Sequence, residues 1–194
     1  MMKTSNIDFF ELKIVEHSFA YNRVIGNIGK ELVRTLLEAC GYSVYPFGYE
    51  SYFTHIKDLI HTGKIKKTPQ LQRMPDLLVV DEELKDIDMV EVITRTQKNA
   101  DDVDITKEKL THLIKFWPKT ILAVVLPRSK HVFYAEYIEK LKITNKDYVN
   151  FDISERPIEC YFPRVAGSSV LKELQNLCKK IIFKLILTME VYCY

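Results

Sequence analysis

Two apolar runs that lie close together constrain this chain more than any other feature of its sequence. The first, DLLVV, covers residues 76–80, and the second, DMVEVITR, covers residues 88–95. Both are rich in residues that favour strands, and the acidic segment DEELKDI between them is short enough for a hairpin. The pattern therefore predicts two neighbouring antiparallel strands, with Asp76 at the start of the first and Glu91 within the second.

A purely structural role does not readily explain Glu91 in this hairpin. It lies between Val90 and Val92 in a strand expected inside a sheet, where a carboxylate is costly to bury without a partner or a metal. Asp76 follows Pro75 and, taken alone, would be an ordinary turn or strand-entry residue. A hairpin register that places the start of one strand beside the middle of the next brings both carboxylates together. Paired carboxylates suit Mg²⁺, which can generate hydroxide and offset charge on a leaving oxygen.

The rest of the chain alternates between helical and strand patterns. Apolar residues at helical spacing predict one helix from about Asn22 to Cys40, ended by Gly41, and a second around Leu110–Trp117. Strands are expected at residues 42–46, 120–126, 131–135, 147–153 and 158–162, and a last helix from about residue 168. Residues 48–73 are less regular, with a short helix expected after Ser51. This mixture of strands and helices predicts an α/β sandwich.

Length and composition limit the classes of protein that fit. The 194 residues contain no repeat or Pro/Gly-rich linker, so we expect one domain, 1–194, with its core at about 22–126 and C-terminal additions at 127–194. The four cysteines lack zinc-site spacing, which favours free thiols in a cytoplasmic protein, and no apolar stretch is long enough for a membrane span. Glycine-rich phosphate loops are absent from the sequence, so a nucleotide-binding enzyme of the usual folds is not expected.

A basic segment precedes the first strand of the hairpin. The net charge of +2 neither demands nor excludes a nucleic-acid partner, so the position of the charges matters more than their sum. Cations interleaved with aromatic residues directly before the proposed metal site favour a DNA-backbone contact over an ordinary solvated surface. The predicted DNA contacts are Lys57, Lys64, Lys66, Lys67 and Arg73, with Lys98 after the second strand.

These features together resemble the PD-(D/E)xK nuclease superfamily, which includes restriction endonucleases and archaeal Holliday-junction resolvases. The resemblance rests on the order of elements, on Pro75-Asp76 with the apolar strand after it, and on Val90-Glu91-Val92, and it covers residues 22–126. It implies a restriction-endonuclease-like αβββαβ core, in which helices flank a central mixed sheet. It also implies an endonuclease that needs Mg²⁺ or Mn²⁺ and acts on duplex or branched DNA, and by analogy a homodimer.

The resemblance also implies roles for particular residues. Asp76 and Glu91 would bind the metal, Val92 would add its backbone carbonyl, and Glu31 on the first helix would complete the site. The superfamily's motif has a lysine two residues after its acidic ligand, where this chain has Ile93. Arg95, or a nearby lysine such as Lys30 or Lys98, would then supply the catalytic cation. An arginine can stabilise charge there but stays protonated, so it cannot readily act as a base.

Two other functions fit the same pattern. A non-catalytic DNA-binding or assembly protein on this fold would have lost its activity with the motif lysine, and it need not keep three converging carboxylates. A ligand-binding α/β domain unrelated to nucleic acid would show an apolar pocket and no basic rim around the carboxylates. The positions of Asp76, Glu91 and Glu31 relative to one another therefore bear directly on the choice.

Overall fold

A computed structural model describes residues 7–48, 54–66, 68–97, 99–143 and 146–192, and leaves out the side chains of 7–19, 54–57, 72, 183 and 185–192. The α-helices within these ranges are α1 (Ile7–Ala39), α2 (Thr54–His61), α3 (Pro69–Gln72), α4 (Lys107–Phe116) and α5 (Ser169–Tyr192). The strands are β1 (Ser43–Pro46), β2 (Leu77–Asp81), β3 (Asp86–Thr94), β4 (Val103–Thr106), β5 (Ile121–Val125), β6 (Phe133–Tyr137) and β7 (Tyr148–Phe151). No helix in the described part of the chain is long and apolar enough to cross a bilayer.

Five strands form a mixed central sheet in the order β1-β2-β3-β5-β6. The first three are antiparallel neighbours, β5 runs parallel to β3, and β6 returns antiparallel to β5. The remaining strands, β4 and β7, pair with each other in a separate two-stranded sheet. The prediction of an α/β protein whose mixed central sheet is flanked by helices is confirmed.

The two faces of the sheet are covered by different elements. Apolar residues of α1 and α5 pack on one face together with Val90 and Val92, whereas α4, β4 and β7 pack on the other face together with Ile93. Because successive strand side chains point to opposite faces, Glu91 points to the α4 face. Residues 90–93 of β3 contribute to the apolar packing on both faces of the sheet, and Glu91 lies within this segment.

Helix α1 lies unusually close to the end of β3. A Cβ added at Gly29 would overlap the hydroxyl oxygen of Thr94, so a glycine is needed for this approach. The helix ends at Gly41, whose φ of 88° is a left-handed conformation that glycine adopts at little cost. The close contact at Gly29 places the next residue, Lys30, at the end of the sheet.

Three expectations about secondary structure need correction. Helix α1 begins at Ile7 rather than near Asn22, and the short strand β4 was not predicted. Residues 158–162 are not a strand: Ile158–Cys160 form a 3₁₀ turn, and a second such turn begins at Pro163. Prolines at both ends of this run fix φ near the helical value and remove ladder donors, which outweighs its β-prone composition. The expected helix start at Ser51 lies outside the described residues.

Candidate active site

Asp76 and Glu91 lie opposite each other at one end of the sheet. Leu77 pairs with Val90 in the antiparallel register of β2 and β3, so the next position outward aligns Asp76 with Glu91. The backbone N–H of Phe47 donates to the Asp76 carbonyl at 2.8 Å, which fixes this residue beside β1. The structure therefore brings the two carboxylates together, and the hairpin register is the reason.

Pro75 changes the hydrogen bonding between the start of β2 and β3. By the alternation of the ladder, Pro75 is opposite Val92 on the hydrogen-bonding side, but proline has no N–H to donate to the Val92 carbonyl. The N–H of Val92 donates instead to Asp76 Oδ2 at 3.0 Å. Because the N–H and C=O of a strand residue point to the same side, the Val92 carbonyl is directed toward the Asp76 carboxylate. Val92 thus presents beside Asp76 a backbone carbonyl that receives no ladder hydrogen bond from Pro75.

Glu91 is buried on the α4 face, with only 5% of its surface exposed. Lys109 of α4 forms an ion pair with Glu91 Oε1. Burial raises the pKa of Glu91 to about 7; the charge of Lys109 opposes this rise and that of Asp76 adds to it. The carboxyl therefore gains and loses its proton near neutral pH, and a further cation placed beside it would favour the ionised form.

Asp76 has a lysine of its own, from the opposite face of the sheet. Lys30 Nζ of α1 lies 2.5 Å from Asp76 Oδ1, with the Asp76 side chain 18% exposed. The two carboxylates are thus each paired with one lysine, Lys30 from the α1 layer and Lys109 from the α4 layer. The two ion pairs therefore place one ammonium group beside each carboxylate, within reach of an anion that enters the site.

Two predicted site residues are not brought to this pair. Glu31 is exposed on α1, and within the described ranges no three or more His, Cys, Asp or Glu side chains gather as a metal site. Arg95 is turned toward β4, where its Nε lies 3.2 Å from Asp104 Oδ1 and its Nη1 donates to the Thr94 carbonyl. Arg95 directly follows the last residue of β3 and lies beside β4, so its guanidinium pairs with Asp104 of that strand.

The predicted DNA contacts are only partly described. Lys64 and Lys66 are exposed in the loop after α2. Arg73 forms an ion pair with Glu108, at 2.9 Å between Nη2 and Oε1, so its charge is balanced locally. The side chain of Lys57, and Lys67 and Lys98 altogether, lie outside the described residues.

Lys109 is the site residue that the sequence prediction missed. It lies in the first turn of α4, where the Thr106 hydroxyl accepts a hydrogen bond from its backbone N–H at 3.4 Å. Lysines are common on exposed helix faces, so the local sequence gives no sign of this role. The one usable signal is indirect: a buried Glu91 needs a cation nearby, although only the packing of α4 on β3 determines which one.

The comparisons with known proteins assign no family. No family model matches this chain, and no curated protein matches its sequence. Any statement about function must therefore come from the geometry and chemistry of the site.

Proposed function

We propose that this chain is a metal-dependent endonuclease that hydrolyses DNA phosphodiester bonds. The observation that carries the proposal is the alignment of Asp76 with Glu91, next to the Val92 carbonyl, at the end of β2 and β3. The order of elements supports it, because α1, β1, β2, β3, α4 and β5 occur in the order of the restriction-endonuclease-like αβββαβ core, with α2, α3 and β4 as insertions. The parallel pairing of β3 with β5 agrees with the same core.

The donor set fits a hard divalent cation. Asp76, Glu91 and the Val92 carbonyl would hold Mg²⁺ or Mn²⁺ through oxygen atoms alone, the ligand type that both ions prefer. When bound, such an ion lowers the pKa of a coordinated water and offsets negative charge on phosphate oxygens. Glu31 is not required for this set, since water and phosphate oxygens would fill the remaining positions.

Lys109 is the best replacement for the missing motif lysine. Ile93 occupies the motif position and packs in the core beneath α4, while Lys109 reaches the neighbouring Glu91 from that helix. An ammonium group there would orient the attacking water and contact a phosphate oxygen. Unlike Arg95, a lysine can also lose its proton and act as a base.

Lys30 would contribute on the Asp76 side. Its ammonium group lies against Asp76 on the side of the sheet opposite α4. Two lysines on opposite faces would hold a phosphodiester between them, which positions the scissile bond without covalent help from the protein.

Cleavage of supercoiled plasmid, single-stranded and four-way-junction DNA with Mg²⁺ or Mn²⁺ tests the proposal. Wild type should cleave at least one of them only with metal, and Glu91→Ala should be inactive. Lys109→Met should lower the rate by about 100-fold or more, while Lys115→Met at the other end of α4 should leave it unchanged. Failure of the wild type to cleave any of these substrates, with DNA binding intact, would refute the endonuclease.

One observation favours a second candidate, a non-catalytic DNA-binding protein. Among the residues that the structure describes, no third carboxylate joins Asp76 and Glu91. A protein that had lost catalysis could keep the two ion pairs as a structural link between the helical layers and the sheet. Such a protein would bind DNA equally well with and without Glu91→Ala and would cleave none of the substrates.

A further inference from the structure

A basic groove lies between the turn that follows β5 and the middle of α5. Its volume is about 790 Å³. The lining residues, which define the basic groove, are Pro127, Arg128, Ser129, Lys130, Lys179, Lys180 and Lys184. Five of these seven are lysine or arginine and none is acidic, so the groove concentrates positive charge in a protein whose net charge is only +2.

No acidic residue near in sequence dilutes this charge. The chain has no Asp or Glu between Glu108 and Glu136, nor between Glu173 and Glu190, and these two stretches supply both walls of the basic groove. Arg128, Lys130 and Lys180 are exposed. Like charges on neighbouring side chains repel one another, and an anion bound in the groove would relieve this repulsion.

The walls of the basic groove are held in place by the fold. Ser129 is buried and its hydroxyl lies 2.7 Å from the Tyr134 hydroxyl, while the backbone N–H of Leu126 donates to the Val132 carbonyl at 2.8 Å. Lys179 Nζ donates to the Lys130 carbonyl at 3.3 Å, which ties α5 to the turn. Because the backbone of the turn is fixed in this way, binding an anion would require the ordering of side chains only.

The basic groove lies beyond the C-terminal end of β5, whereas the candidate active site is level with the beginning of that strand. Glu91 is level with Leu122 of β5, and the N–H of Arg95 donates to the Val125 carbonyl at 3.0 Å. The turn that forms the groove begins just after Leu126, so it is about 13 Å further along the strand direction than Glu91.

We propose that the basic groove binds the phosphodiester backbone of duplex DNA. Charge complementarity carries the proposal, because a duplex presents a dense line of negative charge to which clustered lysines and arginines bind with release of counterions. A role of the groove in placing DNA for cleavage rests on the proposed function, whereas DNA binding by the groove does not. This surface is separate from the basic segment before β2.

Fluorescence anisotropy with a labelled duplex, measured in EDTA over a series of salt concentrations, tests the groove. The groove variant is Arg128→Gln/Lys130→Gln/Lys180→Gln. The control variant is Lys119→Gln/Lys142→Gln/Lys172→Gln, which removes the same charge from exposed lysines nearer the other end of the sheet. Circular dichroism melts establish that both variants fold as the wild type does.

The groove variant should bind about tenfold or more weakly at ~0.1 M salt, and the slope of log K against log salt should fall by about 2 to 3. The control variant should change the slope by less than about 1. Equal effects of the two variants would overturn the proposal, as would groove-dependent binding to phosphatidylserine vesicles without an effect on DNA. EDTA prevents metal-dependent cleavage, so this assay measures DNA binding alone. If the groove contributes to binding but the protein cleaves no DNA with metal present, the proposed endonuclease activity is refuted and DNA binding by the groove is not.

Discussion

Replacing Glu91 with glutamine should change how the stability of the protein depends on pH. Burial raises the pKa of Glu91 in the folded protein to about 7, from an ordinary value of 4.5. Between these pH values the folded state binds more protons than the unfolded state, so the wild type loses stability as the pH rises from about 4.5 to 7. Each pKa unit corresponds to about 1.4 kcal/mol, so the whole loss amounts to about 3 kcal/mol.

Urea denaturation of wild type and Glu91→Gln across this pH range measures the effect. Below about pH 3.5 the wild-type carboxyl is protonated in both states and resembles the neutral glutamine. The unfolding free energy of Glu91→Gln minus that of the wild type should then rise by about 3 kcal/mol and level off above about pH 7. Glu31→Gln, the same change on the exposed surface of α1, should follow the wild-type profile.

Parallel profiles for Glu91→Gln and the wild type would refute the reasoning, since they would mean that Glu91 titrates alike in the folded and unfolded states. A further variant tests the cause of the shift. Lys109 lowers the pKa of Glu91, so Lys109→Met should raise that pKa further and extend the loss of stability to higher pH. A loss that ends at the same pH in both proteins would show that the ion pair does not form.

Two other substitutions test the packing that holds the site. Gly29→Ala should destabilise the protein by about 1 to 3 kcal/mol because its Cβ would overlap the Thr94 side chain of β3. Gly26→Ala on the same helix meets nothing within 4 Å and should stabilise the protein by up to about 1 kcal/mol. Equal melting temperatures of the two variants would contradict the close approach of α1 to β3. Arg164→Met removes the ion-pair partner of the buried Asp81 and should lower the free energy of unfolding in urea by about 3 kcal/mol. Arg34→Met, at an exposed ion pair, should lower it by less than about 1 kcal/mol. Equal losses in the two variants would contradict a stabilising role for the buried pair.

The placement of Asp76 beside Glu91 could be predicted because it depends on short-range rules. A hairpin with a short acidic turn has few registers, and the alternation of side chains makes a one-residue slip expose the apolar face of the strand. The burial of Glu91 follows from its apolar neighbours in the same way. These features are local, so a sequence pattern is enough to predict them.

The sequence named Lys30 among several candidate cations but could not determine which cations pair with these carboxylates, because the partners come from distant parts of the chain. Lys109 reaches Glu91 only through the packing of α4 on the sheet, and Lys30 reaches Asp76 only because Gly29 lets α1 approach β3. Arg95 shares the strand face of Glu91 in the sequence pattern, but β4, a strand of four residues too short for a clear pattern, supplies the nearer Asp104. The ion pair that Arg95 forms therefore depends on the position of Asp104, which the sequence pattern did not reveal.

The binding of Mn²⁺ to the protein alone tests the central claim most directly, because it requires no knowledge of the DNA substrate. Titration calorimetry at about pH 8, above the pKa of Glu91, should show Mn²⁺ binding to the wild type and to Glu31→Gln. Asp76→Asn and Glu91→Gln should bind at least about tenfold more weakly, since each loses a charged oxygen ligand. Binding that is absent from the wild type, or unchanged in Asp76→Asn and Glu91→Gln, would contradict a metal site at the end of β2 and β3.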